Sequence, residues 1–298
     1  MLSLKEMKYR MIGFVILHYK NIQETQKCVE CIAHNFDDYK IVIVENGSAN
    51  GTDVELRNMY QEENIYIIYK KENIGFSRGN NAGYHYLIEN YELDFIVVLN
   101  SDIEFGEGVN EPSIKKIYDR TGFHICGPDI VTIEGIHQNP MRQKELTYLD
   151  IWIKIGVRIF KIKYYRFLKQ FMSNNKDKTI GYMEKKYNTR DKNHLQEQID
   201  KVLHGSFYIL SKKFIHENDK VFTPETFLYM EEDILYSRCK MRKYIMVYTP
   251  DINVIHKCGG STDTTATNVI EKKLNKARFS LDSIKIYYNF RKKYKLLD

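Results

Sequence analysis

Short, continuous apolar runs alternate with longer segments of helical periodicity along the first hundred residues. The apolar runs are residues 11–17, 41–44, 65–69 and 95–99, and the helical segments are residues 23–35 and 76–89. Apolar strands joined by helix-length segments are typical of a parallel sheet whose two faces are both covered. The alternation therefore predicts an α/β fold, with a first half of the nucleotide-binding kind. Further strands are predicted at residues 201–210 and 244–255.

The composition is that of an ordinary globular protein. The 298 residues are 43% hydrophobic and 28% charged, with a net charge of +6, which excludes disorder as the main state. Five cysteines are too few for a disulfide framework and indicate a reducing compartment. Because residues 11–17 are short for a signal peptide and lack a cleavage site, they are interpreted as the first strand. No apolar run approaches the roughly 20 residues that span a bilayer.

Each apolar run ends in a polar cluster. The four clusters are residues 18–21, 45–48, 73–76 and 100–102. Asn, Gly and Ser often serve only as turn and cap residues, and for a single cluster that explanation is the simpler one. Four clusters in succession favour a ligand site, because ligands of open α/β sheets bind at the carboxyl ends of the strands.

Two positions, one in the last cluster and one in the second half of the chain, have the chemistry of cation ligands. Asp102 follows the most apolar strand, beside Asn100, and a carboxylate there suits a divalent cation that takes its other ligands from a diphosphate. An N-cap or Asx turn is the alternative. His256 follows a second apolar stretch and precedes a glycine pair and hydroxyls, a setting that suits a metal or a phosphate. A lone histidine, however, is more often structural.

Three successive acids, Glu231, Glu232 and Asp233, follow an aromatic run. Adjacent helical positions point about 100° apart, so at most one or two of the acids can face a site. A general base is the functional interpretation. The alternative is a solvated first turn that the helix dipole favours.

The order of these pieces resembles that of the family 2 glycosyltransferases of the GT-A fold, over about residues 11–262. The resemblance is carried by an opening strand at residues 15–21, a turn at 45–48, an Asn-x-Gly-Phe-x-x-Gly-Asn-Asn-x-Gly block at 73–83, a metal motif at 100–102, an acidic motif at 231–233 and His256. Two positions depart from the family pattern. Glu45 stands where an Asp is usual, and Asn100 replaces the first Asp of the metal motif.

The resemblance implies a mixed sheet flanked by helices and an inverting transfer of sugar from a nucleotide-diphosphate donor to a hydroxyl of a glycan or lipid-linked acceptor. It also implies a role in cell-surface polysaccharide synthesis, such as capsule formation. Glu232 would be the base, with Glu231 and Asp233 as alternatives, and Asp102 and His256 would hold Mn²⁺ or Mg²⁺. The donor-binding residues would be Leu17, Tyr19, Glu45, Asn46, Asn73, Gly75, Arg78, Asn80, Asn100 and Ser101.

The expected domain organisation is one catalytic domain, residues 1–262, with a basic insertion at about 146–198 and a basic helical tail at 263–298. Residues 151–170 mix apolar side chains with six cations and contain no acid. Such a segment can lie on an anionic membrane, which predicts a cytoplasmic protein that is peripheral at the inner face. Packing of its apolar residues on the core, with the cations solvated, is the alternative.

Two further functions compete with sugar transfer. The net charge of +6 and the 23 tyrosines suggest a nucleic-acid-binding protein, but the basic residues gather after residue 150 and no nucleic-acid motif is present, so no nucleic-acid partner is expected. A catalytically silent sugar-nucleotide binder is the second alternative. Dinucleotide and Walker A fingerprints are both lacking, which disfavours dehydrogenases and P-loop NTPases.

Overall fold

A mixed sheet flanked by helices forms the centre of the molecule. The computed structural model describes residues 11–171, 192–257 and 269–296. The strands are β1 (Ile12–His18), β2 (Tyr39–Glu45), β3 (Ile65–Tyr69), β4 (Phe95–Asn100), β5 (Ile103–Phe105), β6 (Ile125–Thr132), β7 (Gln198–Ile199), β8 (Phe207–Ser211) and β9 (Met246–His256). The α-helices are α1 (Ile22–Asn35), α2 (Thr52–Met59), α3 (Phe76–Asn90), α4 (Glu111–Thr121), α5 (Tyr148–Phe171), α6 (Lys212–Glu217), α7 (Glu231–Met241) and α8 (Val269–Lys293), and Lys192–Leu195 form a 3-10 turn.

The strand order is β3-β2-β1-β4-β8-β6-β9-β5, with β7 paired to β9. The first four strands along the chain are mutually parallel neighbours, as the alternation of apolar runs and helical segments predicts. β8 is antiparallel to both β4 and β6, and β9 is parallel to β6. Strands β4, β6 and β9 therefore run in one direction, and the sheet is mixed, as expected.

Both faces of the sheet are covered. Along β1, Phe14 and Ile16 lie in one apolar cluster with residues of α1 and α4. Val15 points to the other face and lies in a second cluster with residues of α3 and α7. The alternation follows from strand geometry, in which successive side chains point to opposite faces.

A third apolar cluster joins α5 and α8. Ile151 and Ile155 of α5 are buried in it with Leu274 and Ile284 of α8, and Ile234 attaches the pair to α7. The basic insertion and the basic tail thus each contribute a long helix, and the two helices pack together. The division into one domain, an insertion and a tail stays a prediction.

One predicted element is shorter than expected. Residues 201–210 read as one strand, but β8 begins only at Phe207. Val202 makes an isolated bridge with Arg142, and His204, Gly205 and Ser206 form a loop between the bridge and the strand. The polar sequence in the middle of this apolar run is what interrupts the strand.

Candidate active site

The carboxyl ends of several strands meet at one edge of the sheet. His18 pairs with Glu45, and Leu17 pairs with Asn100, so the ends of β1, β2 and β4 are adjacent. β9 runs in the same direction and ends in His256. The edge that the polar clusters predict as the ligand side therefore carries residues from both halves of the chain.

The turn after β2 is organised by its own carboxylate. Glu45 is buried, and its side chain accepts hydrogen bonds from the backbone N–H of Ser48 at 2.7 Å and of Gly47 at 3.2 Å. Ser48 in turn accepts a hydrogen bond from the backbone N–H of Lys20 at 2.9 Å. Glu45 thus fixes the turn to the end of β1, and its contact with a nucleotide base stays a prediction.

Asn46 connects that turn to the segment before α3. Its side chain donates to Asn73 Oδ1 at 3.1 Å and accepts from the Ile74 N–H at 3.1 Å, and Asn73 Oδ1 also accepts from the Gly75 N–H at 2.9 Å. Gly75 has a φ of 87°, and a Cβ there would lie 2.6 Å from the carbonyl oxygen of Phe227. One hydrogen-bonded network, which we call the cradle, therefore joins the three predicted donor-binding residues Asn46, Asn73 and Gly75.

Leu17 and Tyr19 lie at the end of β1 beside this cradle. Leu17 is half-buried and packs on the cluster that contains α3. Tyr19 is half-buried, and the Lys20 ammonium lies 5.1 Å from its ring centroid. Both predicted donor-binding residues are thus partly accessible at the end of β1.

Arg78 and Asn80 lie on α3 in different surroundings. Arg78 is exposed, and its Nε donates to the Pro224 carbonyl at 2.9 Å. Asn80 is buried; its amide donates to the Phe76 carbonyl at 3.0 Å, and its Oδ1 has no hydrogen-bond partner among the described residues. Arg78 can reach a phosphate from the surface, whereas the buried Asn80 side chain is hydrogen-bonded to the backbone of α3.

Asp102 and His256 lie side by side, as the metal prediction requires. The pairing of Ile103 with His256 between β5 and β9 sets this contact, and His256 Nε2 lies 3.3 Å from Asp102 Oδ1. His256 Nδ1 lies 2.7 Å from Gln138 Oε1 and therefore donates its proton there. In the neutral ring, Nε2 then presents its lone pair to the Asp102 carboxylate, and a cation or a proton between them relieves the repulsion.

A short loop connects this pair to the rest of the site. The His204 ring lies 5.6 Å from the His256 ring, and His204 Nδ1 lies 2.9 Å from Ser206 Oγ. The Asn100 N–H donates to the Ser206 carbonyl at 2.9 Å, and Ser101 is half-buried beside it. Burial, with the neighbouring His256, lowers the pKa of His204 to about 3. His204 is therefore neutral, and sequence reasoning missed it because the run around it reads as a strand.

Gly205 of the same loop contacts the acidic motif. A Cβ at residue 205 would lie 2.7 Å from Glu232 Oε1, and the Gly205 N–H lowers the pKa of that carboxyl by hydrogen bonding. Burial outweighs this effect and raises the Glu232 pKa above its ordinary value. A carboxylate with a raised pKa is a stronger base.

The other two acids of the motif are more deeply placed. Glu231 and Asp233 are both buried, whereas Glu232 remains partly exposed. Burial, with the neighbouring Glu232, raises the pKa of Glu231 well above its usual range. Asp233 forms an ion pair with Arg142, a residue that the sequence analysis does not single out. Among the three acids, Glu232 is thus the most exposed.

The donor set fits a divalent cation held by few protein atoms. One carboxylate and one imidazole are hard or borderline ligands, and the Asp102 and His256 side chains are each 10% exposed at the strand ends. Among the described residues, no group of three or more His, Cys, Asp or Glu side chains has metal-binding geometry. Phosphate oxygens and water would therefore supply the remaining ligands, as in sites where a metal is bound together with a nucleotide.

Comparison with known proteins places the chain in a family. Residues 14–217 match glycosyl transferase family 2, and since this is well over half of the chain, the protein belongs to that family of glycosyltransferases. Among curated proteins, the low-salt glycan biosynthesis hexosyltransferase Agl10 of Haloferax volcanii is 28% identical over 131 residues. The match covers 43% of this chain and 39% of Agl10, well under half of that relative.

Solved structures share the fold. The crystal structure of S. aureus TarS 1-349 matches with a TM-score of 0.50 at 11% identity, covering 83% of this chain and 60% of that one. GalNAc-T7, solved with UDP, GalNAc and Mn²⁺, matches with a TM-score of 0.54 at 10% identity, covering 91% of this chain and 48% of that one. The expected GT-A fold is thereby confirmed.

Proposed function

We propose that the protein transfers a sugar from a nucleotide-diphosphate donor to a hydroxyl of an acceptor, with inversion at the anomeric carbon. One observation carries the proposal. The loop of residues 204–206 touches the Glu232 carboxylate on one side and the ring of His256, paired with Asp102, on the other. The proposed base and the proposed cation pair thus both lie next to one three-residue loop, which supports their acting on one substrate.

The base in this reaction is Glu232. It removes the proton from the acceptor hydroxyl as the oxygen attacks the anomeric carbon and the bond to the nucleoside diphosphate breaks. Its raised pKa, caused mainly by burial, favours proton uptake at neutral pH. Asp233, paired with Arg142, holds the first turn of α7 in place so that Glu232 keeps its position against Gly205.

Asp102 and His256 would hold the divalent cation, Mn²⁺ or Mg²⁺, which supplies positive charge at the departing diphosphate. Gln138 fixes the tautomer of His256, a supporting contact common for metal-ligating histidines. The Mn²⁺ in the GalNAc-T7 structure supports the use of a divalent cation. Asn100 and Ser101, at the end of β4, lie beside the diphosphate.

The nucleotide lies on the cradle at the ends of β1 and β2. Tyr19 and the turn of Glu45 face the base, and Asn46, Asn73 and Gly75 shape the floor. Arg78, exposed at the first turn of α3, reaches a phosphate. UDP in the GalNAc-T7 structure makes a uridine nucleotide the first donor to test.

The acceptor is a glycan or a lipid-linked glycan used in cell-surface polysaccharide synthesis. The hexosyltransferase name of the Haloferax relative supports hexose transfer in glycan synthesis. The basic segment at residues 151–170 supports a location at the cytoplasmic face of an anionic membrane.

Calorimetry and turnover with a panel of nucleotide sugars, with and without Mn²⁺, test this proposal. We expect binding of one donor to strengthen with Mn²⁺ and slow donor hydrolysis to appear without acceptor. Binding with no hydrolysis or transfer would indicate the catalytically silent binder. RNA binding with no response to any nucleotide sugar would indicate a nucleic-acid protein instead.

A further inference from the structure

Helix α5 has two opposite apolar faces. Ile151, Ile155 and Ile162 are buried against α8. On the other side, six large apolar residues fall within an arc of about 80° of the helical wheel. This outer stripe consists of Leu149, Ile153, Val157, Phe160, Tyr164 and Phe167, all exposed. The centre of the stripe lies about 180° from the buried seam, so it points away from the protein.

The outer stripe is highly accessible. Phe160 and Leu149 are each 69% exposed, and Gly156 between them has no atom near the place where a Cβ would lie. Single exposed apolar residues are normal, but a contiguous apolar stripe of this size indicates an interaction surface.

Cations border the stripe on both sides. Lys161 lies about 40° beyond one edge of the stripe and Lys163 about 40° beyond the other, and both are exposed. Residues 151–170 contain no acid. An apolar stripe with a cation on each side complements a surface that is apolar inside and anionic at its boundary, which describes a lipid bilayer with anionic headgroups.

The helix is suited to lie on a bilayer rather than cross it. Among the described residues, no helix is long and apolar enough to span a membrane. The six cations along α5 would be costly in the hydrocarbon core but favourable at the headgroups.

The α5 and α8 pair is also attached to the elements that carry the site. Phe279 of α8 stacks on Phe227 with ring centroids 4.8 Å apart, and Ser283 Oγ donates to the Leu228 carbonyl at 2.7 Å. Ile234 of α7 is buried in the cluster shared by α5 and α8. The outer stripe therefore belongs to the layer that supports the acidic motif.

We propose that the outer stripe of α5 inserts into the headgroup region of an anionic membrane and docks the protein there. The insertion places the layer behind α7 against the bilayer, so that a lipid-linked acceptor would meet the site without leaving the membrane. The docking stands by itself, whereas its use for such an acceptor rests on the proposed function.

Vesicle flotation of the full chain tests the docking. We expect recovery with vesicles that contain phosphatidylglycerol and little recovery with phosphatidylcholine alone. Phe160→Glu should lower the partition coefficient by about tenfold or more, because an aromatic side chain that inserts into the membrane is replaced by a charge. Ile133→Glu is the matched control, since Ile133 is 67% exposed but lies outside α5.

A second pair of variants tests the cations. Lys161→Gln with Lys163→Gln should weaken binding to anionic vesicles by about tenfold or more, given roughly fivefold for each cation near the surface. Lys27→Gln with Lys116→Gln is the control, because both lysines are exposed on α1 and α4. Raising the salt concentration should weaken the wild type more than the Lys161 and Lys163 double variant.

Equal recovery with neutral and anionic vesicles, or no binding at low salt, would overturn the docking. So would a concentration-dependent dimer in sedimentation that Phe160→Glu dissociates, since a second copy would then cover the stripe. Donor hydrolysis measured on the same samples reports the proposed function separately: hydrolysis without flotation refutes the docking alone, and flotation without hydrolysis or transfer refutes the transferase alone.

Discussion

The sheet edge and the α5 and α8 pair follow opposite rules of burial. At the edge, acids are removed from water: Glu45, Glu231 and Asp233 are all buried. On α5, large apolar side chains such as Phe160 and Trp152 are left in water. Each arrangement costs free energy in the isolated protein. The comparison teaches that the two regions with unfavourable burial are those where we propose an outside partner, a charged donor at the edge and a membrane at the helix.

The largest effect should come from Asp102→Ala. This change removes the one carboxylate of the cation pair, and transfer should fall by about 10³-fold or more, given the several kcal/mol that a metal supplies to a developing charge. Binding of Mn²⁺ in the presence of UDP, followed by electron paramagnetic resonance, should weaken in parallel. Asp37→Ala, at an exposed site on the other side of α1, is the control. Activity of the variant in excess EDTA at the wild-type level would refute the metal assignment.

Glu232→Gln should lower the rate by about 10²–10⁴-fold, the usual loss on removing a general base. Donor affinity should barely change, because the amide keeps the shape of the side chain. Single-turnover rates and calorimetry separate the two quantities. If Glu231→Gln or Asp233→Asn shows the larger loss in rate, the base assignment moves by one residue.

Arg142→Met leaves Asp233 buried without its cation. Unfolding in urea should show a loss of about 3–5 kcal/mol, the usual cost of breaking a buried pair from one side. Adding Asp233→Asn to the same chain should restore much of the stability, because the uncompensated charge is then absent. An unchanged stability in the single variant would show that the pair contributes nothing.

The buried His18 should make the sheet edge sensitive to acid. Its ring lies 2.7 Å from Thr25 Oγ1 and 3.1 Å from Thr52 Oγ1, and burial lowers its pKa from 6.5 to about 4. Since the unfolded chain binds the proton first, the stability is present above pH 6.5 and is lost as the pH falls towards 4. The loss should be about 3 kcal/mol. The free energy of unfolding, measured from pH 7 to pH 4, should fall less steeply with falling pH for His18→Gln than for the wild type.

The smallest effect should be found at the outer stripe of α5. Phe160→Ser should change the unfolding free energy by no more than about 0.5 kcal/mol, because the side chain packs on little. Ile155→Ala, on the opposite face of the same helix, should cost about 2–5 kcal/mol. Thermal or urea unfolding of both variants measures the contrast. A large loss at Phe160 would mean that the stripe is part of the core.

The sheet was predictable where the apolar runs are continuous. β3 and the start of α3 lie where the pattern places them, because buried parallel strands leave an unbroken apolar signature. β5 and β6 were missed because they are short or contain Gly127 and Pro128, which disfavour a strand prediction. The buried face of α5 was also unpredictable, since two of its faces are apolar and only the position of α8 decides between them.

The candidate site also contains some residues that the sequence predicts and others that it does not. The strand-end clusters were found because topology brings carboxyl ends together. Sequence reasoning did not find Arg142, Gln138 and His204, because their roles depend on contacts between distant parts of the chain. The available signal was the polar interruption His204-Gly205-Ser206 inside an apolar run, because a glycine there weakens a continuous strand.

The pairing of β5 with β9 also sets the order in which the site can be completed during synthesis on the ribosome. The nucleotide cradle, Asp102 and the acidic motif all emerge before β9, which delivers His256 beside Asp102. A nascent chain that has reached only α7 therefore contains the proposed base but only one of the two proposed cation ligands. On this assignment, a chain without β9 should not transfer sugar, and no separate inhibitor is needed.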